Sequence, residues 1–290
     1  MLPHQCFDAI GFKAPDFQEF NHYLDMARLK GHHPSSERGS YAYWAVGEGI
    51  ELWVAADKQL AQLNSSPHYL GASRVNGRVL EIVDHPTTLE GGVRVHLVPE
   101  SEDAPHYSFM FGVPDWDLTR PLLKQLKAAE SGPLVVSFQL TAFAEELECY
   151  DDEASYLAVQ SEAQERQRHY AELGIEQDAE DEEYKKDKEM LAPPVHFIPT
   201  GLQVAKGEKP LPKASLSGEV VGGHVLRNPI TNQQTLCLSL KTLGMTIDMV
   251  ADPALVKRRP RRHSIVSGHF WLSGRLVVEI EATNKRLRIA

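Results

Sequence analysis

The chain has 290 residues, of which 42 % are hydrophobic and 24 % charged, and its formal net charge is −10. These values are typical of a globular protein with about two domains, and no stretch approaches the roughly 18 apolar residues of a membrane-spanning helix. The first residues lack the basic-then-apolar layout of a secretory signal, and the three cysteines are widely spaced. We therefore expect a cytoplasmic protein without a disulfide scaffold or a four-cysteine zinc site.

The charge is unevenly distributed along the chain. Residues 213–290 carry twelve Lys/Arg and five Asp/Glu residues, a balance of +7. Residues 145–190 carry 17 acidic and 5 basic residues, a balance of −12. Opposite charges in two parts of one chain predict surfaces that bind different partners or each other.

Two segments, residues 9–17 and 108–116, share a pattern in which an apolar run ends in Pro-Asp-aromatic. The apolar run predicts a strand in each segment. Asp16 and Asp115 are typical N-cap residues, and apolar residues at helical spacing follow each of them. A strand followed by a capped helix is therefore predicted twice, with Pro121 tolerated near the start of the second helix.

Further strands are predicted after each helix. The first set consists of a hairpin over 40–46 and 50–54 and strands over 79–83 and 93–98, and the second of strands over 134–140 and 142–149. When the two sets are aligned, Glu51 corresponds to Glu146. The closing strand of the second set is expected near Val195, after a long acidic stretch.

A duplicated βαβββ unit resembles the vicinal oxygen chelate family, the glyoxalase and extradiol dioxygenase type, with repeats over about 6–98 and 105–150. The resemblance implies a divalent metal in a cleft, held by histidine and glutamate ligands. Glu51 and Glu146 match the family's strand glutamates, whereas its first-strand histidines fall on Ala9 and Ser108. Half of the implied ligand set is missing, so Glu51 reads as a solvent-facing strand residue, with a metal ligand as the alternative.

The stretch 151–191 is predicted to be an acidic helical insertion. Its first part has enough apolar residues to pack one helix face on a core, whereas 174–190 is almost entirely charged and predicts a solvated helix or disorder. The sharper interpretation is an arm that binds a basic surface, including that of residues 213–290, and screening would make such binding salt-sensitive. Residues 206–212 then read as a linker, being rich in Pro and Gly.

Residues 213–290 predict five or six strands with glycines where a small barrel must bend, a layout that resembles an OB-type barrel. Trp271 lies in a Gly-aromatic-Gly tract that is typical of either a base-stacking platform or a packed core. The basic run 257–262 is predicted to be an exposed loop. Its arginines, together with Trp271, are the candidate site for single-stranded nucleic acid or another polyanion: Arg258, Arg259, Arg261 and Arg262.

Taken together, the sequence predicts an α+β protein. Residues 1–205 would form the duplicated βαβββ domain with its acidic insertion, and residues 213–290 the small barrel. The function that fits best is non-catalytic binding of a protein or a small molecule, without a cofactor or a membrane, in a chain that is open to homo-oligomer formation. The alternatives are a divalent-metal enzyme of the chelate type, a lyase or dioxygenase, and a nucleic-acid or polyanion binder.

Overall fold

A computed structural model describes residues 4–34, 36–58, 63–84, 89–101, 105–172, 193–202, 209–277, 279–282 and 285–288. The charged stretch 174–190 and residues 206–208 of the predicted linker lie outside these ranges. No helix within them combines the length and the apolar character needed to cross a membrane.

The described residues form four helices and fourteen strands. The helices are α1 (His4–Asp8), α2 (Phe17–Lys30), α3 (Trp116–Ala129) and α4 (Glu153–Glu172). The strands of the first half are β1 (Gly39–Gly47), β2 (Ile50–Asp57), β3 (Leu63–Tyr69), β4 (Val75–Asp84), β5 (Gly91–Val98), β6 (Ser108–Gly112) and β7 (Val135–Tyr150). Those of the second half are β8 (His196–Ile198), β9 (Lys213–Arg227), β10 (Gln234–Thr242), β11 (Met245–Ala251), β12 (Ile265–Val277), β13 (Glu279–Ala282) and β14 (Lys285–Arg288).

The strands make two main sheets, which confirms the α+β class. Strands β1, β2 and β3 form an antiparallel sheet in that order. Nine strands form a mixed sheet in the order β10-β11-β7-β4-β5-β6-β12-β9-β8, with additional pairings between β10 and β9 and between β7 and β12. Strands β13 and β14 form a separate hairpin.

The nine-stranded sheet contains strands from both sides of residues 206–212. Strand β12 pairs with β7 along its whole length, from Ile265 to Val277, and β11 also pairs with β7. Residues 213–290 therefore share one sheet with the first half of the chain instead of forming a sheet by themselves. Strand β7 is sixteen residues long, which gives it room to pair with β4, β11 and β12.

The first of the two similar segments differs from its prediction. Residues 9–12 are not a strand, because helix α1 leads into a turn in which Gly11 adopts φ +75°. The following helix is as predicted, and the Asp16 side chain accepts a hydrogen bond from the Glu19 N–H at 2.9 Å. The spacing of Phe17, Phe20 and Ala27 predicts one buried face; Phe20 and Ala27 are buried as expected, whereas Phe17 is 72 % exposed. Tyr23 is buried as well.

The second similar segment begins as predicted, with strand β6 followed by helix α3. Asp115 does not cap α3 through its side chain, which accepts a hydrogen bond from Thr119 Oγ1 at 3.1 Å. The predicted strand pair 134–140 and 142–149 is one continuous strand, β7. No Gly, Pro, Asn or Asp interrupts this stretch, so nothing favours a turn within it. The two segments therefore differ both in their first element and after the helix.

Most strands predicted after residue 213 are confirmed, as is the short strand near Val195, which is β8. The buried apolar residues form a main core within the nine-stranded sheet and a second core under α1 and α2. This second core joins the helices to the three-stranded sheet and to Phe143, Cys237 and Val250 of the nine-stranded sheet. The two sheets consequently face each other, and polar residues line part of the space between them.

Candidate ligand-binding pocket

A pocket of about 180 Å³ lies between the two sheets, and we call it the inter-sheet pocket. One wall comes from β2 and β3, and the other from β6 and β12, with the stretch 210–212 along one side. The residues that define its chemistry are Trp53, Ser66, Glu90, Met110, Gly112, Val113, Pro212, Trp271 and Ser273. The lining is mainly apolar with a few polar groups, which is the usual composition of a small-molecule site.

Strand register explains why polar residues meet here. On the three-stranded sheet, Glu51 lies opposite His68 and Trp53 opposite Ser66, so all four side chains belong to one face. On the nine-stranded sheet, β12 and β7 pair Ser273 with Thr141 and Arg275 with Gln139. These two faces pack against each other. Their polar groups are therefore buried, and they need partners across the gap.

The first set of partners is an ion cluster around Arg275. Its Nη1 lies 3.0 Å from Oε1 and 3.3 Å from Oε2 of Glu51, which is only 2 % exposed. Tyr43 Oη and Trp53 Nε1 also donate to the Glu51 carboxylate, at 2.9 and 3.1 Å. Arg275 Nη2 lies 3.8 Å from Asp115 Oδ2. The carboxylate of Glu51 thus has its acceptor positions filled.

The Arg275 guanidinium also packs on aromatic faces. It stands 5.2 Å from the ring centre of Trp53 and 5.8 Å from that of Tyr43, and these two rings stack at 4.3 Å. Burial lowers the pKa of Arg275, but the charges of Glu51 and Asp115 raise it by more, so the side chain remains cationic. The Arg275 guanidinium therefore packs on the ring of Trp53, and Trp53 also lines the inter-sheet pocket.

The second set of partners is a chain of hydrogen bonds that ends at the pocket. Ser273 Oγ lies 2.9 Å from His68 Nδ1, and His68 Nε2 lies 2.8 Å from Gln139 Oε1. Gln139 Nε2 donates to Thr141 Oγ1 at 2.7 Å and to Asp248 Oδ2 at 3.0 Å. We call Ser273, His68, Gln139 and Asp248 the serine relay. Of its members, Ser273 is the one that lines the inter-sheet pocket.

His68 is fully buried at the centre of this relay. Burial lowers the pKa of His68 to about 3, and the positive charge of Arg275 lowers it as well, against opposing effects of Gln139 and Asp248. The imidazole is therefore neutral near pH 7. A neutral imidazole donates from one nitrogen and accepts at the other, which suits its position between Ser273 and Gln139.

Trp271 contributes both apolar surface and a polar edge. Lys213 Nζ stands 5.7 Å from the centre of its ring. Its indole N–H has no hydrogen-bond partner in the part of the chain that the structure describes. A Cβ built on Gly112 would lie 3.9 Å from this nitrogen and 3.7 Å from Pro212 Cγ. The absence of a side chain at Gly112 thus helps to keep this end of the pocket open.

Neither of the two predicted metal ligands, Glu51 and Glu146, belongs to a metal-binding group in the part of the chain that the structure describes. Glu51 was expected to face solvent and is instead buried and paired with Arg275. Glu146 is exposed on β7, where its backbone pairs with His269. Within the described ranges, no group of three or more His, Cys, Asp or Glu side chains is arranged to hold a metal ion.

The predicted polyanion residues are only partly brought together. Arg258, Arg259, Arg261 and Arg262 are all exposed in the loop before β12, as expected. Trp271 lies six residues beyond Ile265, or about 20 Å along the strand. Trp271 and the four arginines therefore do not form one surface. Arg258 Nη1 lies 3.5 Å from Asp151 Oδ2, the first residue of the acidic insertion.

His68, Gln139, Ser273 and Arg275 were not predicted from the sequence. One signal was available, because Trp271, Ser273 and Arg275 alternate within a correctly predicted strand and so lie on one face. The contact of Ser273 with His68 spans 205 positions and that of His68 with Gln139 spans 71. Such distant pairs leave no local pattern. Comparison of the chain with protein-family models, curated proteins and solved structures found no match.

Proposed function

We propose that the protein is a binding protein and that the inter-sheet pocket takes up an organic molecule about the size of one ring. The observation that carries the proposal is the pair of tryptophans, Trp53 and Trp271, in a pocket that also presents Ser273. Aromatic side chains supply large apolar contact at little cost in conformational entropy.

The volume supports a ligand of this size. An apolar cavity of about 150 Å³ holds benzene, and the inter-sheet pocket is slightly larger at about 180 Å³. The Trp53 ring is held in place by Tyr43, Arg275 and Glu51. A wall that is already ordered loses little entropy when a ligand binds, so even a small apolar contact contributes to affinity.

The experiment uses a substitution that fills the pocket. Gly112→Val adds a side chain whose Cβ meets its nearest atoms at 3.7–3.9 Å, which is ordinary van der Waals contact. Gly132→Val is the matched control, because a Cβ there meets nothing within 4 Å and the residue is exposed. Toluene and phenol are the probes. The readout is the indole N–H region of a ¹⁵N-correlated NMR spectrum, in which four tryptophans give four signals.

We expect saturable shifts of the Trp53 and Trp271 signals in the wild type and in Gly132→Val, with the assignments made from Trp→Phe variants. Gly112→Val should bind the probes at least tenfold more weakly, while the signals of Trp44 and Trp116 stay where they are in the wild type. If neither probe shifts the Trp53 or Trp271 signal, or if Gly112→Val binds as well as the control, the proposal is wrong.

A second candidate function, binding of single-stranded nucleic acid, is favoured by the exposed arginine loop. Strands β10, β11, β7, β12 and β9 pair in a closed order, which supports the OB-type barrel expected from the sequence, with β7 supplied by the first half of the chain. The loop with its four arginines precedes β12. Cations that neutralise phosphates make the affinity fall steeply with salt.

The test is fluorescence anisotropy of a labelled single-stranded DNA at low salt. Replacing the four arginines by glutamine should abolish binding. The control variant replaces four exposed cations elsewhere by glutamine: Arg28, Lys30, Arg74 and Arg227. Equal losses in the two variants would indicate a bulk charge effect, and this candidate would then be rejected.

A further inference from the structure

The serine relay determines which polar group a ligand can bring into the inter-sheet pocket. The direction of each hydrogen bond in the relay follows from its buried end. Thr141 Oγ1 lies 2.7 Å from the carbonyl oxygen of Tyr69, to which it can only donate. With its proton committed there, Thr141 accepts from Gln139 Nε2 at 2.7 Å.

The carboxylate of Asp248 fixes the same orientation of the Gln139 amide. Asp248 Oδ2 accepts from the backbone N–H of Ser73 at 2.9 Å and from Gln139 Nε2 at 3.0 Å. Reversing the amide would bring its oxygen against a carboxylate oxygen and the Thr141 hydroxyl oxygen. Two independent partners therefore assign Nε2 to this side, and Oε1 faces His68.

The imidazole of His68 transmits this direction to the pocket. Because Gln139 Oε1 is an acceptor, His68 Nε2 carries the proton and Nδ1 has only a lone pair. Ser273 Oγ, at 2.9 Å from Nδ1, must then donate its proton to the ring. The Ser273 oxygen keeps its lone pairs but has no proton left for a ligand.

We infer that the inter-sheet pocket selects a one-ring molecule that carries a hydrogen-bond donor, an O–H or N–H group, and that the donor binds Ser273 Oγ. The inference rests on the proposed binding function and narrows it. Phenols, alcohols, amines and amides fit, whereas a hydrocarbon of the same shape leaves the Ser273 oxygen without a hydrogen-bond donor. Leaving a buried polar group without a partner weakens binding.

The charge of the lining agrees with this class. Glu90 is the charged residue among those that line the pocket in the described ranges. A carboxylate ligand would bring a second negative charge without a cation on the pocket wall to meet it. Benzoate is therefore expected to bind much more weakly than phenol, although both carry one ring.

The experiment compares phenol with toluene in the wild type and in Ser273→Ala, using the Trp271 indole signal to obtain dissociation constants. The ratio of the toluene constant to the phenol constant measures the preference for the donor. Ser273→Ala should reduce this ratio about three- to tenfold, the effect of one hydrogen bond. Ser66→Ala is the control, because Ser66 lines the same pocket outside the relay and should leave the ratio unchanged.

The outcomes separate the inference from the function on which it rests. If both probes bind and Ser273→Ala leaves the ratio as it is in the wild type, the donor requirement is wrong while the binding function stands. If Ser66→Ala lowers the ratio as much as Ser273→Ala, the relay has no special role and the inference also fails. If no probe shifts the Trp271 signal, both fail together.

Discussion

Acidification from pH 7 to pH 5 should destabilise the protein through His68. Burial lowers its pKa to about 3 in the folded chain, and the charge of Arg275 contributes, whereas the pKa of a histidine in an unfolded chain is about 6.5. Between these two values the unfolded chain binds one proton more than the folded chain. Stability is therefore fully present above pH 6.5 and falls as the pH drops, by about 1.4 kcal/mol per unit. The interval from pH 6.5 to pH 5 gives about 2 kcal/mol.

The assay is urea unfolding at both pH values, for the wild type and for His68→Gln. The variant lacks the titrating ring and is less stable at both pH values because the relay is broken. Its loss between pH 7 and pH 5 should nevertheless be about 2 kcal/mol smaller than that of the wild type. Burial also lowers the pKa of His96 and of His196, but both remain in the variant, so the difference isolates His68. Equal losses in the two proteins would refute the burial of a neutral imidazole at this position.

Two further predictions concern buried ion pairs. Glu51→Ala removes the carboxylate that pairs with Arg275 at 3.0 Å and should lower the free energy of unfolding in urea by about 3–5 kcal/mol. The double variant with Arg275→Met should recover part of that loss. Strict additivity of the two single losses would contradict the coupling. Asp117 has a buried carboxylate next to Arg38. Burial raises the pKa of this carboxyl, but the hydrogen bonds from Ser36 and Arg38 lower it by more, so its pKa lies below the ordinary value. The Asp117→Asn variant should therefore lose about 3 kcal/mol at pH 7. The gap to the wild type should shrink as the pH falls below about 4 through the folded pKa, and a gap that stays constant from pH 7 to pH 3 would argue against a paired carboxylate.

The parts of the fold that could be predicted from the sequence are those with a local cause. The Asp16 cap and the strand alternation after residue 213 act over a few residues, and both have the expected result. The apolar run 9–12 is too short to distinguish a strand from a helix and turn by its periodicity. For β7, a break was assumed at Thr141 although no turn residue is present there.

The pocket could not be predicted in the same way. Glu51 was read as solvent-facing because one carboxylate in a strand usually is. Its burial depends on Arg275, which lies 224 positions further along the chain. The same holds for Ser273 and His68. These residues meet only because the three-stranded sheet packs on the nine-stranded sheet, and a single sequence contains no record of that packing.

The pairing of β7 with β12 has a consequence for how the protein folds while it is being synthesised. Strand β7 leaves the ribosome complete at Tyr150, but β12 begins only at Ile265. For more than a hundred residues of synthesis, the backbone groups of β7 along the edge that β12 later covers are therefore not paired with that strand. Unpaired edges of this kind favour association between nascent chains. Because that edge is closed by a strand more than a hundred residues further along the chain, we expect the nine-stranded sheet to remain incomplete until β12 has been synthesised.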